Sequence, residues 1–332
     1  MQDTFGRTID YLRISITDRC NFRCIYCMPP EGVVQMSHMD ILRYNEIVDI
    51  AKIAAEAGVK HIRLTGGEPT VRKGLVDLVR DIHDIPGIES VAMTTNGMLL
   101  PRMAQDLKDA GLSRVNISLD TLDPQQFTMI TRCGHVEDVI AGIHAALDAG
   151  LTPVKINAVA VRSLNQDFLQ FAKMTIDKPL HVRFIEYMPV GEGTGIDGAG
   201  WGESDVISAE EILEKINTAA RAEGMPELLP CNAEAEGWGP ARYYKFEGAM
   251  GTVGFISAMS NHFCSTCNRV RLSADGKMRA CLFSDEETDI KTALREGGID
   301  AARAAFAAAV NGKPEEHFHK VGTKRKMSQI GG

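Results

Sequence analysis

The sequence predicts an α/β fold, namely a partial (βα)6 barrel of the TIM type followed by a smaller C-terminal α+β domain. Six short β-branched patterns alternate with amphipathic helical patterns between Tyr11 and about Pro189. Such alternation is typical of right-handed βαβ units and a parallel sheet. Residues suited to chemistry follow most of these strand patterns, and beyond the sixth strand glycine-rich loops and a hairpin signal replace the alternation.

Each strand pattern and the helical patterns between the strands can be bounded from the sequence. The predicted strands are Tyr11–Thr17, Val59–Thr65, Ser90–Thr95, Arg114–Leu119, Val154–Val161 and His181–Tyr187. The predicted helices are Asn45–Ala57, Lys73–Asp84, Leu99–Ala110, Val136–Ala149 and Asn165–Thr175. Gly58, Gly111 and Gly150 follow three of these helices, at the position where a left-handed C-cap residue is expected.

An open doubly wound sheet would also fit this alternation, and the placement of unusual residues favours the barrel. Cys20 follows the first strand, a Gly-Gly-Glu-Pro segment follows the second, and Asp120 follows the fourth. Lys155 lies in the fifth strand and Met188 follows the sixth. Barrel enzymes build their active sites from the carboxyl ends of many strands, whereas an open sheet gathers them at one switch point.

We predict two domains, residues 1–230 and 231–332, because 332 residues exceed the length at which one hydrophobic core usually stops growing. The strand patterns of the second domain are Arg242–Phe246, Thr252–Ser257, Arg269–Ser273 and Lys277–Cys281. Asp275-Gly276, between the last two patterns, predicts a hairpin. Two helices and a basic tail ending in Gly331-Gly332 are expected to follow.

The composition is that of an ordinary globular protein, with 44% hydrophobic residues and a net charge of −8. No overall basic field would attract nucleic acid, so an anionic ligand needs a local basic cluster. Met1 to Cys20 lacks the apolar core of a signal peptide, and Ala301 to Val310 is too short to span a bilayer. We therefore expect a cytoplasmic protein, in which eight cysteines indicate metal or redox chemistry rather than disulfides.

Cys20, Cys24 and Cys27 form a C-x3-C-x2-C motif after the first strand. Three thiolates can hold three irons of a [4Fe–4S] cluster and leave the fourth iron open to another ligand. This spacing resembles the radical S-adenosylmethionine (SAM) superfamily, in which SAM chelates the open iron, and Tyr26 matches the aromatic residue usual before the last cysteine. On spacing alone a zinc site or buried thiols would also fit, although closed zinc sites use four ligands.

Gly66-Gly67-Glu68-Pro69, one βα unit later, is similar to the GGEP motif of the same superfamily. Two glycines allow a backbone to approach a ligand closely, and the Glu68 carboxylate can accept from an ammonium group. An ordinary strand-to-helix turn would explain the segment on its own. Its position one βα unit after a cysteine triad favours a SAM site.

A second triad, Cys264, Cys267 and Cys281, has the spacing C-x2-C-x13-C. It again offers three thiolates, as a second cluster with an open iron would need. A zinc ribbon with His262 as the fourth ligand is the alternative. Cys133 and Cys231 have no partner at a ligand spacing, and we interpret them as ordinary thiols.

Both triads, the GGEP motif, Arg269-Val270-Arg271 and the terminal Gly331-Gly332 together resemble the GTP 3′,8-cyclase family over essentially the whole chain. Leu12-Arg13-Ile14-Ser15 and the segment from Arg183 to Pro189 match as well. The resemblance implies a radical SAM barrel whose C-terminal domain carries a second [4Fe–4S] cluster. It also implies that a radical made from SAM abstracts hydrogen from C3′ of GTP. C3′ then bonds to C8 of guanine, in the biosynthesis of the molybdenum cofactor (molybdopterin).

The resemblance further implies a role for each matched residue. Cys20, Cys24 and Cys27 hold the SAM cluster, whereas Cys264, Cys267 and Cys281 hold the second cluster, whose open iron binds guanine. The implied SAM contacts are Tyr26, Gly67, Ser118 and Met188. The implied GTP contacts are Arg13, Arg63, Thr94, Lys155, Arg183, Arg269, Val270 and Arg271. The implied catalytic residues are Arg13, Arg269, Arg271, Gly331 and Gly332.

The sequence has no Walker-A loop, so a triphosphate would need another binding site. The implied arginines can each bind two phosphate oxygens through their guanidinium groups, and Lys155 adds a point charge. Arg269 and Arg271 alternate on a predicted strand, so both side chains face the same side. A radical SAM peptide-modifying enzyme with an auxiliary cluster, and a non-catalytic iron–sulfur or zinc-binding module, are the other functions left open. The two arginines and the Gly-Gly terminus argue against the first, and the two incomplete cysteine sets argue against the second.

The same family implies GTP as substrate and cyclic pyranopterin monophosphate synthase as the next enzyme of the pathway. It also implies an electron donor such as flavodoxin. We expect no nucleic-acid partner and no membrane partner, and the sequence leaves a homodimer open.

Overall fold

A computed structural model describes residues 1–33, 36–37, 39–188, 195–196, 199–232, 240–316, 325 and 329. Its centre is a sheet of six strands that are neighbours both in sequence and in space. These strands are β1 (Tyr11–Ser15), β2 (His61–Thr65), β3 (Ser90–Thr95), β4 (Leu112–Ser118), β5 (Val154–Ala160) and β6 (Leu180–Glu186). Every neighbouring pair among them is parallel.

The sequential order of β1 to β6 confirms the predicted barrel architecture and argues against the doubly wound sheet, which reverses its strand order at a switch point. Strand β3 has the predicted bounds, and each of the other five differs from its prediction by one or two residues at one or both ends. The β-branched runs therefore located the strands well.

Strand residues alternate between two environments, and this alternation builds the site. On β4, Val115 and Ile117 are completely buried in the hydrophobic core between sheet and helices. Arg114, Asn116 and Ser118, which alternate with them, line a cavity inside the barrel. Parallel strands buried on both faces are usually apolar throughout, so the polar inward set marks the interior of this barrel as functional.

In the described part of the chain, seven α-helices accompany the barrel strands. They are α1 (Tyr44–Glu56), α2 (Leu75–His83), α3 (Ala104–Asp109), α4 (Pro124–Thr131), α5 (Val136–Asp148), α6 (Phe168–Lys173) and α7 (Ala209–Ala222). The predicted helix Leu99–Ala110 is shorter in the structure, because a 3-10 turn at Leu100–Arg102 precedes α3. Helices α4 and α7 were not predicted. Asp123 caps α4 ahead of Pro124, and Ser208 caps α7 by accepting from the N–H of Glu211.

Strands from the C-terminal part extend the same sheet on both sides. Among the described residues, β7 (Gly195–Ile196) and β8 (Ala199–Gly200) form a separate two-stranded sheet. The strands that extend the main sheet are β9 (Leu229–Pro230), β10 (Arg242–Lys245), β11 (Thr252–Ile256), β12 (Arg269–Leu272), β13 (Lys277–Arg279) and β14 (Thr288–Asp289). Strand β12 pairs in parallel with β1, and β11 pairs in parallel with β6. The C-terminal strands and the barrel are therefore continuous through hydrogen bonding. The predicted domain boundary between residues 230 and 231 stays a prediction.

Helix α8 (Ile290–Asn311) follows β14 and packs against α1. Its helical backbone is interrupted at Gly298, whose φ is 71°, so its two halves correspond to the two helices predicted at this end of the chain. Asp289 caps its start by accepting from the N–H of Thr292 at 2.9 Å. Among the residues described, no helix is both long enough and apolar enough to cross a membrane.

Candidate active site

Both cysteine triads face one cavity of about 390 Å³ inside the barrel. Its walls come from all six barrel strands, from β11 and β12, and from the loops that carry the cysteines. All six triad cysteines line it, although the two triads are more than 230 positions apart in the sequence. The two motifs therefore belong to a single site, which their spacing alone did not establish.

The first triad lies on the loop after β1, and backbone hydrogen bonds hold this loop to the end of α4. The N–H groups of Arg23 and Ile25 donate to the carbonyls of Thr131 and Ile130, at 3.0 and 2.9 Å. Burial raises the pKa of Cys20 to about 12 and raises that of Cys24 well above its ordinary value. These thiols would release their protons when a cation such as iron compensates the thiolate charge.

The two glycines after β2 are required by close packing against the segment that leads into Cys20. The N–H of Gly67 donates to the carbonyl of Thr17, and the N–H of Glu68 donates to that of Arg19, both at 2.8 Å. A Cβ atom at Gly67 would lie 2.3 Å from the Arg19 oxygen, and one at Gly66 would lie 2.4 Å from the Thr17 oxygen. The close approach expected toward a ligand is thus, in part, an approach to the cysteine loop itself.

Glu68 presents a buried and rigidly held carboxylate to the cavity beside the first triad. It accepts from the N–H of Thr70 at 3.0 Å, from the hydroxyl of Thr95 at 2.7 Å and from the N–H of Asn96 at 2.6 Å. Burial raises its pKa, and the hydrogen bonds oppose that shift. An acceptor fixed in this way suits an ammonium group brought by a ligand.

Tyr26 lies against the cavity with its hydroxyl already engaged. The hydroxyl donates to Asp120 Oδ2 at 2.5 Å, and the ring stacks on Trp201 with 5.9 Å between centroids. Burial raises the pKa of both Tyr26 and Asp120. Tyr26 therefore offers its ring and backbone to a ligand. The other predicted SAM contacts, Gly67, Ser118 and Met188, line the same cavity.

Six cationic side chains predicted to bind GTP face the cavity. They are Arg13, Arg63, Lys155, Arg183, Arg269 and Arg271. Arg13 of β1 is in register with Arg63 on one neighbouring strand and with Arg271 on the other. Burial, followed by the charge of Arg269, lowers the pKa of Arg271 to about 10. Like charges crowded out of water favour a bound anion, which would compensate both the desolvation and the repulsion.

Two uncharged polar residues, Thr94 and Asn116, are in register with the cation Lys155. Thr94, Asn116 and Lys155 are successive register partners on β3, β4 and β5, and the Arg63 guanidinium donates to the Thr94 hydroxyl at 3.4 Å. Asn116, like Tyr11 of β1, lines the cavity but was not among the predicted site residues. The signal that could have found them is the inward alternation of polar residues on strands that are otherwise buried.

The second triad surrounds β12 and β13. Cys264 begins a 3-10 turn, Cys267 lies two residues before β12, and Cys281 lies two residues after β13. Burial would raise the pKa of Cys267, but the Lys313 ammonium and the N–H and charge of Arg269 together lower it. His262, the fourth ligand of the zinc alternative, lines the same cavity, and its Nδ1 lies 3.0 Å from the Ala258 carbonyl oxygen.

The remaining predicted site residues lie elsewhere or outside the described residues. The Val270 side chain is completely buried in the core, so a contact with GTP would have to come from its backbone. Gly331 and Gly332 lie outside the residues that the structure describes, as does most of the loop from Gly191 to Gly200. Cys133, interpreted as an ordinary thiol, lies against the first cysteine loop, with its Sγ 3.2 Å from the carbonyl oxygen of Asn21.

The donor chemistry of both triads fits iron–sulfur clusters. None of the eight cysteines forms a disulfide. In the described part of the chain, no three His, Cys, Asp or Glu side chains are already arranged to hold a metal ion. The fit therefore rests on the donors, since each triad presents three thiols to the cavity and thiolates are the ligands that hold iron–sulfur clusters.

Comparison with known proteins gives the class first. Residues 14–175 match the Radical SAM superfamily, and residues 180–319 match Molybdenum Cofactor Synthesis C. The crystal structure of Streptococcus suis SuiB bound to precursor peptide SuiA has a TM-score of 0.59 at 14% identity, covering 92% of this chain and 67% of that one. Its likeness concerns the fold alone. The barrel, the first triad and the superfamily match define a radical SAM protein, which binds SAM and an iron–sulfur cluster.

Relatives along the full length then give the family. The GTP 3′,8-cyclase of Pelotomaculum thermopropionicum is 50% identical and that of Moorella thermoacetica is 52% identical, each over 336 aligned positions. Both alignments cover 100% of this chain and 100% of the relative. The chain belongs to the GTP 3′,8-cyclase family.

Proposed function

We propose that this protein is a radical SAM GTP 3′,8-cyclase that acts in molybdenum cofactor biosynthesis. It converts GTP to (8S)-3′,8-cyclo-7,8-dihydroguanosine 5′-triphosphate. Half of its residues are identical to those of cyclases that it matches from end to end. The structural observation that carries the proposal is the single cavity lined by two cysteine triads and seven cationic side chains, namely Arg114 and the six predicted to bind GTP.

The chain's own residues would hold and orient SAM at the first triad. Cys20, Cys24 and Cys27 would bind a [4Fe–4S] cluster, which together with SAM supplies the one-electron chemistry for hydrogen abstraction. Glu68 would accept from the ammonium group of SAM. The Tyr26 ring, Gly67, Ser118 and Met188 line the wall against which SAM would lie.

The cationic side chains would fix GTP by its triphosphate. Arg271, Arg13 and Arg63 are register neighbours on three adjacent strands, so their guanidinium groups can bind several phosphate oxygens from one side. Lys155, Arg183 and Arg269 add charge, and Thr94 adds a hydroxyl. This charge favours GTP over the peptide substrate of the alternative function, since a triphosphate presents several anionic oxygens that arginine and lysine side chains bind through charge-assisted hydrogen bonds.

The second triad would hold a second [4Fe–4S] cluster whose open iron binds guanine. The proposal is supported by the three thiols that face the same cavity as the arginines. The zinc ribbon with His262 is the competing assignment. The terminal Gly331 and Gly332 are proposed to act in the same site, on the strength of the family resemblance.

The protein's partners follow from the reaction. Cyclic pyranopterin monophosphate synthase would receive the product, and an electron donor such as flavodoxin would reduce the first cluster. A homodimer, a cytoplasmic location, and the absence of nucleic-acid and membrane partners stay predictions.

Metal analysis tests the proposal directly. Anaerobically prepared protein should be brown and should contain about eight irons per chain, four for each [4Fe–4S] cluster. Incubated with GTP and SAM under strict anaerobiosis and reduction, it should form the cyclic nucleotide. Stoichiometric zinc with little iron would contradict the proposal, and four irons with one zinc would support the zinc ribbon at the second triad.

Replacing Arg271 with alanine should weaken GTP turnover while SAM cleavage without GTP continues. One charge-assisted contact with phosphate contributes about 1.5–3 kcal/mol, which corresponds to a loss of roughly ten- to a hundredfold in GTP affinity. Equilibrium binding of GTP measures the effect. Arg221→Ala is a matched control, because Arg221 forms exposed ion pairs with Glu214 and Glu227. Equal GTP affinity in the two variants would refute the phosphate role.

A further inference from the structure

Lys313 is a buried lysine whose side chain ends at the second cysteine triad. It lies just after α8 and only 3% of its surface is exposed. Its ammonium donates to Cys267 Sγ at 3.5 Å, to the Arg269 carbonyl at 2.8 Å and to the Ala280 carbonyl at 2.7 Å. An ammonium has three donors, so each is engaged.

The acceptors of Lys313 lie on both sides of the hairpin that carries two of the triad cysteines. Arg269 follows Cys267 by two residues, and Ala280 directly precedes Cys281. The ammonium therefore joins the chain near Cys267 to the chain near Cys281, and it also contacts one of the two sulfur atoms directly.

Arg7 anchors the segment of Lys313 to the third cysteine. Its guanidinium donates to the carbonyls of Cys264, Glu315 and Pro314 at 2.9, 2.7 and 2.6 Å. Asp3, whose side chain is completely buried, holds Arg7 in an ion pair of 2.6 Å. Lys313 and Arg7 thus connect all three cysteine positions to the short segment from Lys313 to Glu315, which follows α8.

The charge of Lys313 needs an anion. A buried ammonium is costly unless it is paired. Among the described residues, no carboxylate accepts from Lys313. Of its three acceptors, two are neutral carbonyls, and the sulfur of Cys267 is the one that can carry a negative charge. A thiolate bound to an anionic iron–sulfur cluster would supply that counter-charge.

The first triad is supported differently. Arg23 donates to the carbonyls of Cys20 and Phe22 at 2.7 and 2.9 Å, and the Cys20 sulfur accepts from the backbone N–H of Phe22. In the described contacts, no ammonium or guanidinium donates to the sulfur of Cys20 or Cys24. Cys267 therefore differs from Cys20 and Cys24 in accepting a hydrogen bond from a cationic side chain.

We propose that Lys313 is a positioning residue for the second cluster: its ammonium fixes the Cys267 ligand and adds a buried positive charge that raises the reduction potential of that cluster. The inference rests on the second cluster proposed above. Reduction adds negative charge, so a nearby cation stabilises the reduced state more than the oxidised state. Hydrogen bonds to the sulfur atoms and net charge are among the factors that set the potential of iron–sulfur clusters.

The test is a redox titration of the second cluster in the full-length chain whose Cys20, Cys24 and Cys27 are alanine, followed by electron paramagnetic resonance. Lys313→Met should shift the midpoint to lower potential, whereas Lys313→Arg, which keeps the charge, should stay close to the parent. Arg303→Met removes one cation from the exposed face of α8 and should leave the midpoint unchanged. A parental midpoint in a Lys313→Met protein that holds its iron would overturn the proposal.

If Lys313→Met loses its iron, its midpoint cannot be measured, and Lys313→Gln and Lys313→Arg then test the proposal. Lys313→Gln keeps a hydrogen-bond donor without the charge. A cluster that it retains at lower potential supports the proposal, and one at parental potential overturns it. If both neutral variants lose iron, recovery of iron by Lys313→Arg supports the need for a cation, and failure of that recovery overturns it. A parent chain that binds no iron at the second triad would refute the second cluster itself, which separates the two failures.

Discussion

Replacing Cys264, Cys267 and Cys281 with alanine should abolish cyclisation of GTP while some cleavage of SAM persists. The loop of the first triad is hydrogen-bonded to α4 and packs against the turn that follows β2. The substitutions change no residue of these contacts. GTP, however, would lose the iron proposed to bind its guanine. A misplacement of about 1 Å can cost on the order of a hundredfold in rate, and loss of an anchor would misplace C3′ by more.

The measurement is product analysis under anaerobic, reducing conditions. 5′-Deoxyadenosine should still form from SAM, and the cyclic nucleotide should fall below detection. A Cys231→Ala variant is the matched control, since Cys231 lies outside the cavity lining and contacts Tyr243 through its backbone. Cyclisation at the parental rate would make the second triad structural. Loss of SAM cleavage in a folded variant would show that the two triads cannot be separated.

The sequence predicted the barrel strands closely because β-branched runs are short and are bounded by glycines and polar residues. The prediction missed α4 and α7, although the sequence contains a helix-start signal for each. These signals are Asp123-Pro124 for α4, and Ser208 with Glu211 three residues later for α7. The pairing of β12 with β1 and of β11 with β6 could not be read from periodicity, since sheet partners distant in sequence leave no local pattern.

The same limit applies to the site. Cysteine spacing located both triads, and the family resemblance supplied the cationic residues, but no local pattern predicted that all of them face one cavity. Lys313 shows why. Its neighbours in the sequence are Gly312 and Pro314, whereas its partners are Cys267, Arg269 and Ala280. A buried hydrogen bond of this kind depends on the completed fold.

Gly67→Ala should abolish both SAM cleavage and cyclisation while leaving the second triad able to bind iron. The added Cβ would lie 2.3 Å from the Arg19 carbonyl oxygen and 2.8 Å from that of Asp18. Both contacts are with backbone, so no side chain can turn away to relieve them. Overpacking typically costs about 1–3 kcal/mol, and the segment that must move leads directly into Cys20.

Cyclisation should be lost here as in the variant without the second triad, but SAM cleavage should be lost only in Gly67→Ala, because the damage falls where SAM is proposed to bind. Gly202→Ala is a matched control: no atom lies within 4 Å of its would-be Cβ, and its φ of −132° suits any residue. Iron content near four per chain, absence of 5′-deoxyadenosine and a circular dichroism spectrum like the parent's are expected for Gly67→Ala. If that variant instead cleaves SAM at the parental rate, the turn tolerates the displacement, and the packing of Gly67 against Arg19 does not control the position of the first cluster.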